Sequence, residues 1–275
     1  MHFQLKINVS IDLKYTETID TCDGEEVCTN RKGCAMVNPH ELFSLNTVPS
    51  SRNVTDIPLS VDWRQKGAVN EVMDQQCSCW AFSAVTSIEG ISNITSGELI
   101  NLSQQELVDC DNRNKGCKSG YVDKAFEYVI SNNGLALYHE YPYMAREGTC
   151  RSANIRHFGK ISGFVRVPSD EQSLLYAVSI QPISVLVVTS PAFHMYGGGI
   201  FEGPCQLDAP YTSDQWHAVN VIGYGKDSDG TRYWIIKNSW GTNWGENGYM
   251  RMKMNGGGSP WGLCAISAYA FYPTV

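Results

Sequence analysis

Residues 74–83 read DQQCSCWAFS, two cysteines separated by one serine and followed at once by a run with helical spacing. Trp80, Ala84, Val85, Ile88 and Ile91 recur at intervals that line one face of a helix. That reading puts Cys79 at a helix N-terminus, where unpaired N–H groups and the macrodipole favour a thiolate over a thiol. A half-cystine suits the same position, because the chain holds ten cysteines. Residues outside the stretch have to decide between the two.

Downstream of Cys79 the helical signals continue. Ser103-Gln-Gln-Glu106 is a capping box, and a third helix runs near Val122 to Asn132 until Gly134 stops it. Beyond about residue 160 the pattern changes. ISVLVV, HAVNVIGYG, RYWIIKN and GYMRMKM are short β-rich runs, with one helix at Asp170 to Ile180 capped by Ser169. Helices first and strands second predict an α+β fold of two lobes, one mainly helical and one an antiparallel β-barrel or sandwich, with a ligand cleft between them. Upstream, Phe3, Leu5, Ile7, Val9, Ile11, Leu13 and Tyr15 alternate as in a strand, and a linker ends near Ile57. Residues 1–56 are therefore expected to form a segment separate from a domain at 57–275.

Composition narrows the function classes. With 21 Lys and Arg against 28 Asp and Glu, the net charge of −7 offers no basic surface, so neither nucleic acid nor an anionic membrane is expected as partner. No run approaches a membrane span, and the first residues lack the apolar region of a secretory signal. Ten cysteines and the sequons at Asn8, Asn53, Asn93 and Asn101 nevertheless point to an oxidising, secretory compartment.

A nucleophilic cysteine needs a base, and the base needs an orienting group. His217 opens the run HAVNVIGYG, and Asn238 ends a later strand just before Trp240 and Trp244. An asparagine side chain can accept the imidazole Nδ1–H, and an adjacent indole can keep water off that bond. Taken singly, each also fits a plain role, His217 as a half-buried histidine and Asn238 as a turn residue.

CSCWAFS, LSQQELVDCDNRNKGCKSGY, YPYMAREGTCRS, GGGIFEGPC, WHAVNVIGYG, YWIIKNSWGTNWGENGYMRM and GLCAISAYAFYPTV follow in order. Together they resemble a papain-family, cathepsin L-like cysteine endopeptidase of plant type, from about Ile57 to Val275. The resemblance implies a papain-like two-lobed fold with the active-site cleft between the lobes. It makes Cys79 the nucleophile, His217 the base and then the acid, and Asn238 the orienter under Trp240. Gln75, or Gln76, would join the Cys79 N–H in holding the oxyanion. Disulfides Cys77–Cys117, Cys110–Cys150 and Cys205–Cys264 follow by family pattern, leaving Cys79 as the reactive thiol outside them. Cys22, Cys28 and Cys34 have no family counterpart, and their spacing is not that of a zinc site.

Gly120 and Tyr121 would pair with an extended substrate backbone. Val122, Leu186, Ala218 and Tyr269 would line a shallow apolar pocket for the residue two before the scissile bond. Trp216 either narrows the cleft or belongs to the core. No cofactor or metal is implied. The expected partners are peptide or protein substrates and protein inhibitors of cysteine proteases, the chain is expected to be a monomer, and the location extracellular or in a vacuole or lysosome. A homologue that keeps the fold for binding or storage is the competing reading.

Three departures from the family pattern matter. The loop before Cys79 is two residues short, one of them a glycine, which endangers both the placement of Gln75 and the Cys77–Cys117 bond and leaves a Cys77–Cys79 bond open. The loop from Cys205 to His217 carries an insertion around LDAPYT. Residues 1–56 do not read as the family's helical propeptide.

Overall fold

Helix α1 (Cys79–Ser96) starts where the sequence places it, but its burial differs from the expected single face. Every residue from Cys79 to Gly90 is buried. The reason lies in its serines. Ser83 Oγ donates to Val219 O at 3.0 Å, Ser87 Oγ meets Ser184 Oγ at 2.8 Å, and Asn220 Nδ2 donates to Ser83 O at 2.9 Å. Residues that periodicity assigns to solvent are thus hydrogen-bonded into the second lobe, as buried polar groups must be.

The computed structural model describes Ala35 and residues 57–205 and 215–275. The alternating stretch 3–15, the linker and the inserted loop lie outside these, as do Cys22, Cys28, Cys34 and the sequons at Asn8 and Asn53. After β1 (Val61–Asp62), the first lobe packs α1 with α2 (Gln104–Cys110) and α3 (Val122–Asn132). Only half of the expected capping box forms. Ser103 Oγ accepts the Glu106 N–H at 3.0 Å, while the Glu106 carboxylate turns inward to the Ala136 N–H and Asn132. The Ser103 N–H goes to Ala136 O instead. Helix α3 ends on Asn133, left-handed at φ 59°, one residue before the glycine expected to stop it.

The second lobe contains β2 (Gly163–Arg166), α4 (Glu171–Ile180), β3 (Ile183–Val188), α5 (Pro191–His194), β4 (Ile200–Phe201), β5 (Trp216–Lys226), β6 (Arg232–Lys237), β7 (Tyr249–Lys253) and β8 (Tyr269–Thr274). The strands order as β2-β8-β3-β5-β6-β7-β4, with β1 on β5. All pairs are antiparallel except β4 with β7, which is parallel, so the antiparallel lobe has one exception at its edge. The cap of α4 is Asp170, whose carboxylate accepts the Ser173 N–H at 2.7 Å, and not Ser169, whose hydroxyl donates to Ala268 O. Two apolar cores result. One fills the sheet lobe around Trp234, Ile236 and Phe193; the other joins α1 and α3 to the inner faces of β3, β5 and β8. The fold is the two-lobed α+β arrangement.

Candidate active site

Strand β5 carries Trp216, His217 and Ala218 in register against Val188, Val187 and Leu186 of β3. Antiparallel pairing with β3 holds these residues in regular extended backbone, and β6 joins the other side of β5 from Asn220 onward. Asn238 follows β6, and its Oδ1 lies 2.7 Å from His217 Nε2. The expectation that Asn238 meets Nδ1 is thereby corrected: Nε2 faces the amide, which assigns Nδ1 to proton exchange. The Ser239 N–H donates to the same Oδ1 at 2.8 Å, fixing the amide with its oxygen toward the ring. Trp240 stacks on His217 at 4.6 Å between centroids and 19° between planes. Trp240 also stacks on His194, at 4.9 Å and 8°. His217 is 2 % exposed, and burial pulls its pKa down to about 4 although Asn238 opposes the shift; nearby His194 adds to it.

Cys79 is the first residue of α1, and its Sγ accepts the Ala218 N–H at 3.3 Å, which brings the sulfur to the residue beside His217. The sulfur is in a disulfide. Cys77–Cys117, Cys110–Cys150 and Cys205–Cys264 pair as the resemblance implies, so the partner of Cys79 is none of these six. The expectation of a reactive thiol at Cys79 is corrected for this form of the chain, and the Cys77–Cys79 alternative is excluded by the Cys77–Cys117 bond.

The short loop closes at the expense of its backbone. Gln76 and Ser78 are both left-handed, at φ 48° and 66°, where non-glycine residues are strained. Tyr143, which sequence reasoning passed over, holds the loop by donating to Gln75 O at 2.5 Å and Cys77 O at 2.9 Å; its ring edge packs on Phe82. Gln75 is buried, with its N–H on Ser239 O at 2.8 Å and its Oε1 accepting from Ser239 Oγ. Gln76 is exposed. The glutamine tied to the Asn238 loop is therefore Gln75. Ser239 also went unread; as a hydroxyl beside the orienting asparagine, it carried only a weak signal.

Behind these groups Glu89 of α1 and Lys237 of β6 line a cavity of about 440 Å³ between the lobes. Burial pushes the Glu89 carboxyl up and the Lys237 amine down, each partly offset by the other's charge. Val122, Leu186, Trp216, Ala218 and Tyr269 belong to one buried cluster with Cys79. Leu186 pairs with Ala218 on one side and Tyr269 on the other. Trp216 sets its ring edge-on to Tyr269 at 5.9 Å, making it a wall of that cluster. Gly120 sits so close to Trp80 that a Cβ there would come within 2.5 Å of the indole. Tyr121, half-buried, caps α3 and donates its N–H to Asn114 Oδ1 at 2.7 Å.

The description "Papain family cysteine protease" matches residues 57–274. Fruit bromelain of Ananas comosus is 46% identical over 226 residues, 81% of this chain and 62% of the relative. Vignain of Vigna mungo is 41% identical over 281 residues, 98% of this chain and 73% of the relative. The solved structure of the bromelain protease from Ananas comosus in complex with the E64 inhibitor superposes with a TM-score of 0.75 at 45% identity, covering 80% of this chain and all of that one. The chain belongs to the papain family of cysteine proteases. It spans 62% of the length of the fruit bromelain it matches.

Proposed function

We propose that the chain is a cysteine endopeptidase whose peptidase domain is residues 57–275. The observation that carries this is the His217–Asn238 bond under Trp240, with the Cys79 sulfur on the next peptide N–H of the same strand. With Cys79 reduced, His217 Nδ1 takes the thiol proton and the thiolate attacks the scissile carbonyl. The oxyanion forms against the Cys79 N–H and the Gln75 amide, whose Oε1 is engaged by Ser239 so that its nitrogen is the donor. The imidazolium then protonates the leaving amine, and water activated by His217 hydrolyses the thioester. Asn238 keeps the ring oriented throughout.

Gly120 and Tyr121 offer backbone to an extended peptide, and Val122, Leu186, Ala218 and Tyr269 form an apolar pocket. Peptides with Leu or Val two residues before the cleaved bond are expected to exceed those with Arg there, by about 10-fold or more in kcat/KM, since burying one aliphatic group discriminates by about 1–3 kcal/mol. A peptide library preferring Arg would remove the pocket assignment.

Substrate proteins and protease inhibitors are the proposed partners, and a secretory or vacuolar location fits the disulfides. No described helix is long and apolar enough to cross a membrane. Thiol treatment followed by a substrate-like epoxide tests the activity: stoichiometric labelling of Cys79 supports the peptidase. A folded, thiol-treated chain that takes up no label favours the binding or storage reading.

A further inference from the structure

Two buried amides line the cavity behind the catalytic pair and are left incomplete by the residues around them. Gln104 is 4 % exposed and Asn238 2 %. Gln104 Oε1 and Asn238 Nδ2 have no hydrogen-bond partner among the described residues. An enclosed polar atom left unpaired costs free energy, so these two mark a place for a molecule that completes them. One atom accepts and the other donates. The occupant must therefore offer both a donor and an acceptor. Asn238 also ties the cavity to the site, because its Oδ1 is already taken by His217 Nε2 and the Ser239 N–H at 2.7 and 2.8 Å. The same planar amide meets His217 on its oxygen side and is unpartnered on its nitrogen side.

Charge narrows the occupant further. Lys237 and Glu89 line the same cavity, both more than nine-tenths buried, and each is the other's counter-charge. A simple anion drawn to Lys237 would also face the Glu89 carboxylate, and a simple cation would face the Lys237 amine. A molecule that carries a carboxylate and an ammonium on one carbon suits both. Glu71 lines the cavity too, but it is exposed and solvent screens it. Phe82 and Val219 add apolar wall. The volume of about 440 Å³ falls within the roughly 300–1,000 Å³ of small-molecule sites and far exceeds the ~30 Å³ share of one water.

We propose that this cavity is a second binding site and takes a free α-amino acid with an aliphatic side chain. The carboxylate of the ligand goes to the Lys237 amine and Asn238 Nδ2, its ammonium to the Glu89 carboxylate and Gln104 Oε1, and its side chain against Phe82 and Val219. Such a molecule is an end product of peptide hydrolysis. It acts on His217 only through the Asn238 amide and leaves the apolar pocket open to substrate. Its effect on turnover therefore falls on kcat and not on KM. That effect rests on the peptidase reading, whereas the binding does not.

L-Leucine titrated into the full chain, followed by calorimetry and NMR, should bind one to one and move the signals of Phe82, Gln104 and Asn238. Acetate and methylamine carry one charge each and should bind about tenfold more weakly or worse, since each forgoes a charge-assisted contact. Lys237→Met and Gln104→Leu should each weaken leucine binding by about tenfold. Should Lys237→Met fail to fold, Gln104→Leu and the probe comparison on the unaltered chain still decide. Acetate binding as tightly as leucine, signal changes confined to Val122, Leu186 and Tyr269, or no saturable binding would each overturn the proposal. Leucine bound in this cavity of a thiol-treated chain without peptidase activity would count against the peptidase reading alone. Full peptidase activity without leucine binding would count against the second site alone.

Discussion

The two halves of the site are held in opposite ways. His217 lies in a strand and pairs in register with Val187 of β3, its ring is stacked by Trp240, and Asn238 is fixed by Ser239. Cys79 is preceded by a loop in which Gln76 and Ser78 take left-handed backbone and Tyr143 clamps two carbonyls. A strand has no slack, because a one-residue slip would turn His217 to the other face of the sheet. A loop can lose residues and still close, since its strain is spread over single dihedral angles and offset by contacts around it. Among the described residues of the site, the left-handed non-glycine backbone therefore lies on the nucleophile's side.

The largest expected effect is on the rigid half. His217→Ala in the thiol-treated chain should lower kcat/KM by about 10²–10⁴, the usual contribution of a general acid–base group. Activity that survives undiminished would show that the base lies elsewhere. Next comes the strained half: replacing Gln76 by Gly-Ser and inserting Gly between Cys77 and Ser78 restores two residues. If the short loop displaces the Gln75 donor, kcat should rise by about 10²–10³. Equal turnover by the natural and rebuilt forms under reducing conditions would mean that Tyr143 and Ser239 already hold Gln75 correctly.

Acidity sharpens the contrast. In the disulfide form burial holds His217 at about 4, against an ordinary 6.5. Between those values the unfolded chain binds the proton that the folded chain refuses, so stability falls as the pH is lowered through that window. At about 1.4 kcal/mol per unit the loss is on the order of 3 kcal/mol, measurable as a lower urea midpoint near pH 4 than near pH 7. Reduction of Cys79 should move the His217 titration upward, followed by NMR of the ring protons, because a neighbouring thiolate favours the imidazolium. An unchanged titration would separate His217 from Cys79 electrostatically. The smallest effect is expected from Gln76→Gly. Gln76 is exposed, and relieving its left-handed backbone should stabilise the chain by about 1 kcal/mol in denaturant unfolding. A destabilised variant would show that the side chain, not its backbone angle, matters to the loop.

How far the sequence carried the reading depends on the range of the cause. The strand runs were legible because alternation and β-branched content act locally, and β3, β5, β6 and β7 form where ISVLVV, HAVNVIGYG, RYWIIKN and GYMRMKM stand. The helix caps were legible to within one residue, since Asp170, the next residue, takes the role expected of Ser169. Ser83 and Ser87 misled, because a serine's exposure depends on a partner from another part of the chain.

By itself, the sequence determined the order of helices and strands, placed Cys79 at a helix start, and put His217 and Asn238 in motifs dense enough to mark the family. These are properties of neighbouring residues and their periodicity. Only the tertiary structure decided that Nε2 faces Asn238, that Gln75 rests on Ser239, and that the Cys79 sulfur meets the Ala218 N–H. Each of these depends on side chains or backbone brought together from distant parts of the chain. Which atoms then meet is set by strand register, by burial and by the satisfaction of every enclosed polar group, and none of these has a local signature.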